Sequence, residues 1–539
     1  MAIRKLLVAN RGEIAARIFR ACAETGIATV AVAAPDDRGA FHTRLADETA
    51  EIESYLLSEE HIRAARAAGA DAIHPGYGFL AESPDFAEAV EAAGLVFVGP
   101  TPDALRQGGD KLQAKRIAHE AGVPVLPAGE PDEIGFPLVV KAAAGGGGRG
   151  MRVVRDPSAL EEAAEAARRE AKAAFTDDTV YYERYVERPR HVEIQLLADE
   201  HGEVVALGER ECSIQRRHQK VLEESPSPAL DRELRRQMSE AAVAFGRAIA
   251  YRSAGTVEFM LDGRDFYLLE LNGRIQVEHP VTELVSGVDL VRGQLRIAAG
   301  EPLDVEPHFQ GHAVEARLYA EDPKSFLPQA GRIERLRLPT GIRVDAGVEE
   351  GDEVGVAYDP MIAKLIAHGP TREEALLRLR DALAETVVEG LTTNLPFLRW
   401  LVAHPALRAG RTTTAFLSEY PPLSAPPARL PSGPWDGAWR LNLPAPEPHA
   451  PPDVDELTHA GTGGSGGEQS TLTAPMPGTV IKVLASAGDK VAHRQTLLVL
   501  EAMKMETPVV SPYDGTVRAV HVVEGDRVSG GAVLVELED

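Results

Sequence analysis

Three groups of residues in this 539-residue chain have types and spacings that could do chemistry. The first is Glu258, Glu270 and Asn272. Glu258 lies in the apolar run 255–261, and Glu270 and Asn272 lie in 266–272; Asp262-Gly263-Arg264 joins the two. A hairpin centred near Gly263 and Arg264 sets Glu258 roughly opposite Glu270, and Asn272, two residues on, shares that face. Two carboxylates and an amide are costly to bury on an apolar hairpin unless they bind something. Hard oxygen donors without His or Cys suit Mg²⁺ or Mn²⁺ bridging nucleotide phosphates; the competing reading is an exposed polar face of an edge hairpin. The second group is Ala144-Gly145-Gly146-Gly147-Gly148-Arg149-Gly150-Met151, between strands at 136–141 and 152–154. Gly145, Gly147 and Gly150 satisfy G-x-G-x-x-G, but a strand follows where a dinucleotide fingerprint needs a helix, and no Gly-Lys-Ser/Thr closes a Walker loop. A glycine-rich hairpin can instead fold over phosphates with its N–H groups donating; a floppy turn is the alternative. The third is Lys504, in Glu501-Ala502-Met503-Lys504-Met505-Glu506. Methionine is flexible and apolar, and a pair flanking a cation is an odd choice for a surface turn.

The elements that must position these residues can be read next. Around Lys504 the chain repeats: Pro477-Gly478-Thr479-Val480 is echoed by Asp514-Gly515-Thr516-Val517, and Ala487-Gly488-Asp489-Lys490-Val491 by Glu524-Gly525-Asp526-Arg527-Val528, both at an offset of 37 residues. Short strands with Gly-Asp turns, repeated once, predict two similar half-sheets packed face to face. Lys504 falls in the joint between them, on a tip that presents a side chain to solvent. At the other end, residues 5–9 read as a buried strand, Ile14, Ile18, Phe19 and Cys22 recur at helical spacing, and 27–32 is a second strand. This βαβ opening resembles half a Rossmann sheet, but its turn, Asn10-Arg11-Gly12-Glu13, lacks the dinucleotide glycines, so a structural role is predicted. His74-Pro75-Gly76-Tyr77-Gly78-Phe79-Leu80 is a glycine-rich loop with no chemistry evident from its residues alone.

The totals narrow the class. The length suggests several domains of about 100–200 residues. Apolar and charged contents of 44% and 26% are ordinary for soluble globular protein. A net charge of −25 argues against nucleic acid or an anionic membrane as partner. The two cysteines, Cys22 and Cys212, suggest neither a disulfide framework nor a zinc site. With no signal peptide and no apolar run able to span a bilayer, a cytoplasmic protein is expected.

The run Ala502-Met503-Lys504-Met505 within a repeated β-unit resembles the biotinyl (biotin carboxyl carrier) domain, whose lysine carries biotin in amide linkage. Lipoyl carriers share the fold but usually lack methionines on both sides of the lysine. Upstream, Asn10-Arg11-Gly12-Glu13-Ile14-Ala15, the 74–80 loop, Gly109-Asp110-Lys111, the 145–151 loop, the run from Glu209-Arg210-Glu211-Cys212 to His218-Gln219-Lys220, and Arg274-Ile275-Gln276-Val277-Glu278-His279-Pro280 resemble biotin carboxylase, an ATP-grasp enzyme. The likeness covers about 1–420 and 471–539.

It implies an α/β and α+β multidomain chain: a Rossmann-like N-terminal layer (1–111), an ATP-grasp domain (112–310, lid about 130–204), a biotin carboxylase C-terminal domain (311–420), a Pro/Gly-rich linker (421–470) and an all-β flattened-barrel biotinyl domain (471–539). It also implies roles. Lys111, Lys141 and Gly145, Gly146, Gly147 and Gly148 would hold ATP phosphates; Glu183, Arg184 and Val186 would line the adenine pocket; His191, Gln215 and His218 would contact the ribose and neighbouring groups. Glu258 and Glu270, with Asn272, would bind the metal within the ATP site. Lys220, Arg274, Gln276 and Val277 would hold bicarbonate, Glu278 would deprotonate it, and Arg317 would stabilise a biotin enolate. Lys504 would carry the biotin. The chemistry suits these types: bicarbonate is a poor electrophile that ATP must convert to carboxyphosphate, which needs cations for phosphoryl charge, an Arg fork for a planar carboxylate and a base.

Two departures stand out: Gly273 where the family usually has Thr, and Gly108 where it usually has Met. In the linker, Pro421, Pro422, Pro426 and Pro427 precede a glycine-rich run at 461–467. The island Pro434-Trp435-Asp436-Gly437-Ala438-Trp439-Arg440-Leu441-Asn442 resembles only the start of the β-rich docking domain that acyl-CoA carboxylase alpha subunits commonly insert here. A flexible linker of this length reaches roughly 40 Å. The expected whole is the alpha subunit of an acyl-CoA carboxylase, working with a carboxyltransferase beta subunit, biotinylated by a biotin protein ligase, and homo-oligomeric through its carboxylase domain. The rivals are another ATP-grasp ligase and a biotinyl carrier or assembly scaffold with an inert catalytic half.

Overall fold

The structure, a computed structural model, describes residues 2–142, 151–175, 179–216, 219–424, 471–474, 478–493, 495–502, 505–528 and 531–538. Gly145, Gly146, Gly147, Gly148, His218, Lys504 and the island at 434–442 lie outside them. The chain forms two compact units, one of 1–316, 365–379 and 406–421, the other of 317–364, 380–405 and 422–539.

The first unit opens with a parallel sheet of β1 (Lys5–Val8), β2 (Ala28–Ala33), β3 (Glu48–Glu51), β4 (Ala72–His74) and β5 (Val96–Phe97), in the order β3-β2-β1-β4-β5. Leu6, Leu7 and Val8 are fully buried, as a strand covered on both faces requires. Helices α1 (Gly12–Thr25), α2 (Ser58–Ala68) and α3 (Pro84–Ala92) connect the strands. At the switch point between β1 and β4, the turn fills itself. Asn10 Nδ2 donates to the carbonyls of Pro75 and Tyr77, both at 2.7 Å. The Tyr77 hydroxyl donates to Glu13, in the first turn of α1. A carboxylate of the chain thus sits where a Rossmann fold would take a pyrophosphate.

Next come α4 (Pro102–Gly109), α5 (Lys111–Glu120) and the short α6 (Pro131–Ile134). A small antiparallel sheet, β7-β6-β8, consists of β6 (Leu138–Ala142), β7 (Arg152–Val154) and β8 (Val180–Arg184), and packs Leu138, Val140 and Val154 on Ala164 and Ala167 of α7 (Leu160–Phe175). The large antiparallel run is β13-β12-β9-β10-β11-β14, made from β9 (Arg190–Ala198), β10 (Val204–Arg216), β11 (Gln219–Ser225), β12 (Ser253–Asp262), β13 (Asp265–Asn272) and β14 (His312–Tyr319). Met238, Ala242 and Phe245 of α8 (Arg232–Ala248) share a core with Val192, Ile194 and Val257 of this sheet. The helices α9 (His279–Ser286) and α10 (Leu290–Ala298) follow β13.

In the second unit, β15 (Gly331–Arg332) pairs with β18 (Glu353–Val354) and β16 (Arg335–Arg337) with β20 (Val387–Glu389); β17 (Arg343–Ala346) neighbours β19 (Met361–Gly369), a strand of which residues 361–364 belong to this unit. The C-terminal part is two four-stranded sheets, β21-β28-β26-β23 and β25-β24-β22-β27. Its strands are β21 (Thr471–Thr473), β22 (Gly478–Val483), β23 (Lys490–Val491), β24 (Thr496–Ala502), β25 (Met505–Val510), β26 (Gly515–Val520), β27 (Arg527–Val528) and β28 (Val533–Glu538). The predicted repeat is present, with one difference. Each half lends its short strand to the other half's sheet: Gly478 pairs with Val528, and Val491 pairs with Gly515. The core of Val480, Leu498, Leu500, Val517, Leu534 and Leu537 is drawn from both sheets.

Candidate active site

The centre of the candidate site is a row of carboxylates across three strands. Glu193 on β9 pairs in register with Glu258 on β12, which pairs with Glu270 on β13. Directly opposed residues of antiparallel strands project from one face, so the three acids share it. The expected pairing of Glu258 with Glu270 depends on a bulge. The turn closes with Asp262 opposite Asp265, and strict counting would then set Glu258 against Leu269; an irregularity after Phe259 restores Glu270 to the row.

Into this row β11 delivers Lys220. Its ammonium lies 2.8 Å from Glu258 Oε1 and 2.6 Å from Glu278 Oε1, and it also contacts Glu193. All three ammonium donors are thereby used. Burial alone would lower the Lys220 pKa, but the three carboxylates raise it well above the ordinary lysine value. Glu258 Oε1 also accepts from Asn272 Nδ2 and Gln276 Nε2, both at 2.8 Å, and its Oε2 is 3.0 Å from His191 Nε2. Gln215 Nε2 is 2.8 Å from His191 Nδ1. Burial pushes the Glu258 carboxyl up, but Lys220 and His191 outweigh it and hold the group well below the usual range. Glu278 sits immediately before α9, buried, at the electropositive end of that helix.

Beneath the row lies Arg210, fully buried. It donates to Glu193 Oε1 (2.6 Å), Gln195 Oε1 (2.7 Å), Thr282 Oγ1 (3.0 Å), Thr256 Oγ1 (3.2 Å) and Gln276 Oε1 (2.6 Å). One guanidinium therefore fixes both Glu193 and Gln276. Arg274 NH2 donates to Asn272 Oδ1 at 3.0 Å.

A second, cationic group adjoins Glu270. Lys111 opens α5, whose N-terminus is capped by the Asp110 carboxylate, and its Nζ lies 3.9 Å from Glu270 Oε2. Lys115, one turn on, contacts Glu183, and Lys141 Nζ donates to Glu183 Oε2 at 2.6 Å. Burial, then Lys141 and Lys111, push Lys115 down to about 7; burial and Lys111 push Lys141 down to about 8. Burial first and the Glu258 charge second raise the Glu270 carboxyl above its ordinary value. Among the described residues, acid, thiol and imidazole atoms gather within 4.8 Å as His191–Glu193–Glu258 and Glu193–Cys212–Glu278, so Glu270 stands apart from both groups. Two opposed carboxylates on one face, one of them raised by burial and then by the other's charge, offer the hard oxygens that suit a divalent cation, although Asn272 turns its amide nitrogen to Glu258 and gives its oxygen to Arg274.

Of the residues predicted for the site, Lys111, Lys141, Glu183, His191, Gln215, Lys220, Glu258, Glu270, Asn272, Arg274, Gln276 and Glu278 are brought together in the first unit. Arg184 is exposed; with Val186, Phe136, Pro137 and Tyr185 it lines a cavity of about 520 Å³. Val277 is half-buried beside Glu278. Arg317 belongs to the second unit, where it is buried and its carbonyl accepts from Asn394 Nδ2 at 3.0 Å. Sequence reasoning missed Glu193, Arg210 and Lys115. Two of them left a signal: Glu193 follows His191 at the strand period of two, and Lys115 follows Lys111 at the helical spacing of four.

The two departing glycines form one contact. A Cβ on Gly108 would meet Leu271 Cδ2 at 2.5 Å, and a Cβ on Gly273 would meet Leu105 Cδ2 at 2.8 Å. Leu105 and Gly108 lie on α4; Leu271 is the penultimate residue of β13, followed by Asn272 and Gly273. Each segment thus offers a leucine to the other's glycine.

Fold and site together are those of an enzyme of the ATP-grasp class. Residues 2–105 match the biotin carboxylase N-terminal domain, 110–306 the carbamoyl-phosphate synthase L chain ATP-binding domain, 315–419 the biotin carboxylase C-terminal domain, and 470–537 the biotin-requiring enzyme domain. The chain belongs to the biotin carboxylase family. It is 49% identical to biotin carboxylase of Haemophilus influenzae over 77% of this chain and 98% of that protein. It is 47% identical to the propionyl-CoA carboxylase alpha chain of Ruegeria pomeroyi over 77% of this chain and 68% of that one. To the methylcrotonoyl-CoA carboxylase alpha subunit of Mus musculus it is 37% identical, over all of this chain and 93% of that protein; the 679 aligned positions leave about 140 without a counterpart here. A biotin carboxylase–beta-gamma-ATP complex from Campylobacter jejuni superposes with a TM-score of 0.75, at 39% identity, covering 78% of this chain and 99% of that one. No helix among the described residues is long and apolar enough to cross a membrane.

Proposed function

We propose that the chain uses ATP to carboxylate biotin carried on its own Lys504, as the alpha component of an acyl-CoA carboxylase. The observation that carries this reading is Lys220, held by Glu193, Glu258 and Glu278 beside Arg274 and Gln276, in a chain that also ends in a biotin-requiring domain. Lys111, Lys115 and Lys141 supply cationic charge for the ATP phosphates. Glu258, Glu270 and Asn272 would hold Mg²⁺ or Mn²⁺, which when bound neutralises phosphoryl charge. Arg274 takes the bicarbonate carboxylate together with Lys220, which would turn one donor to it from a carboxylate it now holds, and Gln276 and Val277 complete the pocket. Glu278 Oε1, 2.6 Å from the Lys220 ammonium, accepts the bicarbonate proton. A bicarbonate oxygen then forms a bond to the γ-phosphorus as the bond to ADP breaks, giving carboxyphosphate. The carboxyl group passes to a ureido nitrogen of biotin as the C–O bond to phosphate breaks; the departing phosphate takes the ureido proton, and Arg317 offsets the developing enolate charge.

Likeness over the whole chain to methylcrotonoyl-CoA carboxylase alpha subunits favours an acyl-CoA partner reaction; a pyruvate carboxylase component of Methanothermobacter thermautotrophicus matches at 48% over only 77% of this chain. A carboxyltransferase beta subunit would complete the enzyme and a biotin protein ligase would load it. Self-association through the carboxylase domain and a cytoplasmic location belong to the same reading. Labelled bicarbonate, ATP, Mg²⁺ and free biotin given to the purified chain should yield carboxybiotin and ADP in equal amounts. ATP cleavage indifferent to biotin and bicarbonate would overturn the proposal.

A further inference from the structure

The loop after β4 carries a carboxylate into the candidate site. Gly76, Gly78 and Phe79 have left-handed φ values of 63°, 67° and 40°. Gly76 takes this conformation against Asn10, whose Nδ2 would lie 2.8 Å from any Cβ there. Three contacts hold the loop: Asn10 to the Pro75 and Tyr77 carbonyls, the Tyr77 hydroxyl to Glu13, and Phe79 stacked on Tyr55 with centroids 4.9 Å apart. A non-glycine residue at positive φ, so braced, is the kind of local strain found where a loop must aim a side chain. The residue aimed is Glu82. Its Oε1 accepts the Gly273 N–H at 3.1 Å, and its Oε2 lies 3.1 Å from Arg274 Nε. Arg274 is otherwise engaged by Asn272 Oδ1 and, at 3.3 Å, by the Ile275 carbonyl.

A glutamate carboxylate offers a guanidinium the same kind of anionic oxygen as bicarbonate does, here through Oε2 while Oε1 stays on the Gly273 N–H. We propose that Glu82 is an internal stand-in for the substrate anion: it holds Arg274 until substrate arrives, and bicarbonate must take its place. The proposal rests on the reading of Arg274 as a bicarbonate residue. Glu82 is then a positioning residue that sets the affinity for bicarbonate. Glu82 can leave because its own side chain is 44% exposed, whereas Arg274 is 20% exposed and its Nε is buried, so the guanidinium stays in place to take another anion. A pair with one partner half in water is held loosely enough for a competing anion to displace it.

Glu82→Gln tests the idea, since it keeps an oxygen for the Gly273 N–H and the shape of the side chain but removes the charge. In biotin-dependent ATP cleavage, the KM for bicarbonate should fall about two- to fivefold, with no matching fall in the KM for ATP. The gap from wild type should narrow at high salt, which screens the wild-type pair. Glu82→Asp, charged but one methylene shorter, should fall between the two. An unchanged or raised bicarbonate KM in Glu82→Gln, or a loss of thermal stability alone, overturns the proposal. So does a rise in the Mg²⁺ requirement without a fall in bicarbonate KM, which would make Glu82 a metal group. Arg274→Ala separates the two layers. If it leaves the bicarbonate KM unaltered, the reading of Arg274 fails; if it raises that KM while Glu82→Gln does nothing, only the role of Glu82 fails. Added to Arg274→Ala, Glu82→Gln should change the bicarbonate KM no further.

Discussion

Glu258 and Glu270 face each other across the β12–β13 hairpin, yet their carboxyls are driven in opposite directions. Burial raises both. At Glu258 the charges of Lys220 and His191 reverse the effect; at Glu270 the charge of Glu258 adds to it. Glu270 is therefore the group that most needs a cation. Glu270→Gln should raise the half-saturating Mg²⁺ for ATP cleavage by about ten- to a hundredfold, the range seen when the support of a metal site is removed. Because its carboxyl titrates above the ordinary range, the wild-type Mg²⁺ requirement should climb as pH is lowered toward that range, since protonated Glu270 cannot ligate. The variant should lose this dependence. Mg²⁺ titrations at two pH values check both points, and a variant with wild-type Mg²⁺ dependence would remove Glu270 from the metal site.

His74, fully buried at the end of β4, accepts the Gly76 N–H on Nδ1 at 3.0 Å, so its neutral form is the one the loop needs. Burial lowers its pKa from 6.5 to about 4. A folded pKa below the unfolded one gives stability that is complete above the unfolded value and is lost as pH falls toward the folded one. Folding should therefore weaken between pH 6.5 and about 4, by about 3 kcal/mol from this residue at about 1.4 kcal/mol per unit. His74→Asn retains an acceptor for Gly76 but does not titrate there. Urea unfolding at pH 7 and pH 4.5 should show a shallower pH dependence for the variant, even if it starts less stable.

What the sequence discloses of this site follows from how far apart its parts lie in the chain. The Glu258–Glu270 pair was legible because twelve residues and a Gly263 turn fix it locally. The bulge that brings Glu270 into register was not, because bulges answer to packing as much as to residue type. Glu193 and Arg210 escaped notice for a different reason. Their value lies in whom they touch, and Gln276 and Thr282, partners of Arg210, are 66 and 72 residues away. The carrier repeat was plain from its 37-residue offset, but the loan of short strands between its halves is a pairing that similarity of the halves does not specify.

The interlocked glycines offer a packing test. Gly273→Thr drives a side chain into Leu105, between Asn272 and Arg274, and overpacking of this kind costs about 1–3 kcal/mol. The bicarbonate KM should rise with it, because both flanking residues shift. Leu105→Ala opens the same space, so the double variant should be more stable than the sum of the single losses predicts. A double-mutant cycle on unfolding free energy reads this coupling. Additive losses would show that Leu105 does not fill the space at Gly273.

The carboxylase site and the carrier lysine should separate cleanly. The first half-reaction requires ATP, a divalent cation, bicarbonate and a ureido nitrogen within reach of the candidate site. The second requires biotin tethered to the chain, where a linker raises its effective concentration at each site to about millimolar. Lys504→Ala should therefore keep ATP cleavage driven by free biotin, yet abolish acyl-CoA carboxylation once a carboxyltransferase subunit is added. Mass spectrometry should find biotin on Lys504 in the wild type and on no lysine in the variant. Arg317→Ala should do the reverse: Lys504 stays biotinylated, but the free-biotin reaction falls by roughly 10²–10³, the loss expected when one group stabilising a developing anion is removed. The two assays run side by side on both variants decide the matter. If a folded Lys504→Ala loses both activities, the carrier takes part in the chemistry of the first half-reaction and the division of labour between the modules is wrong.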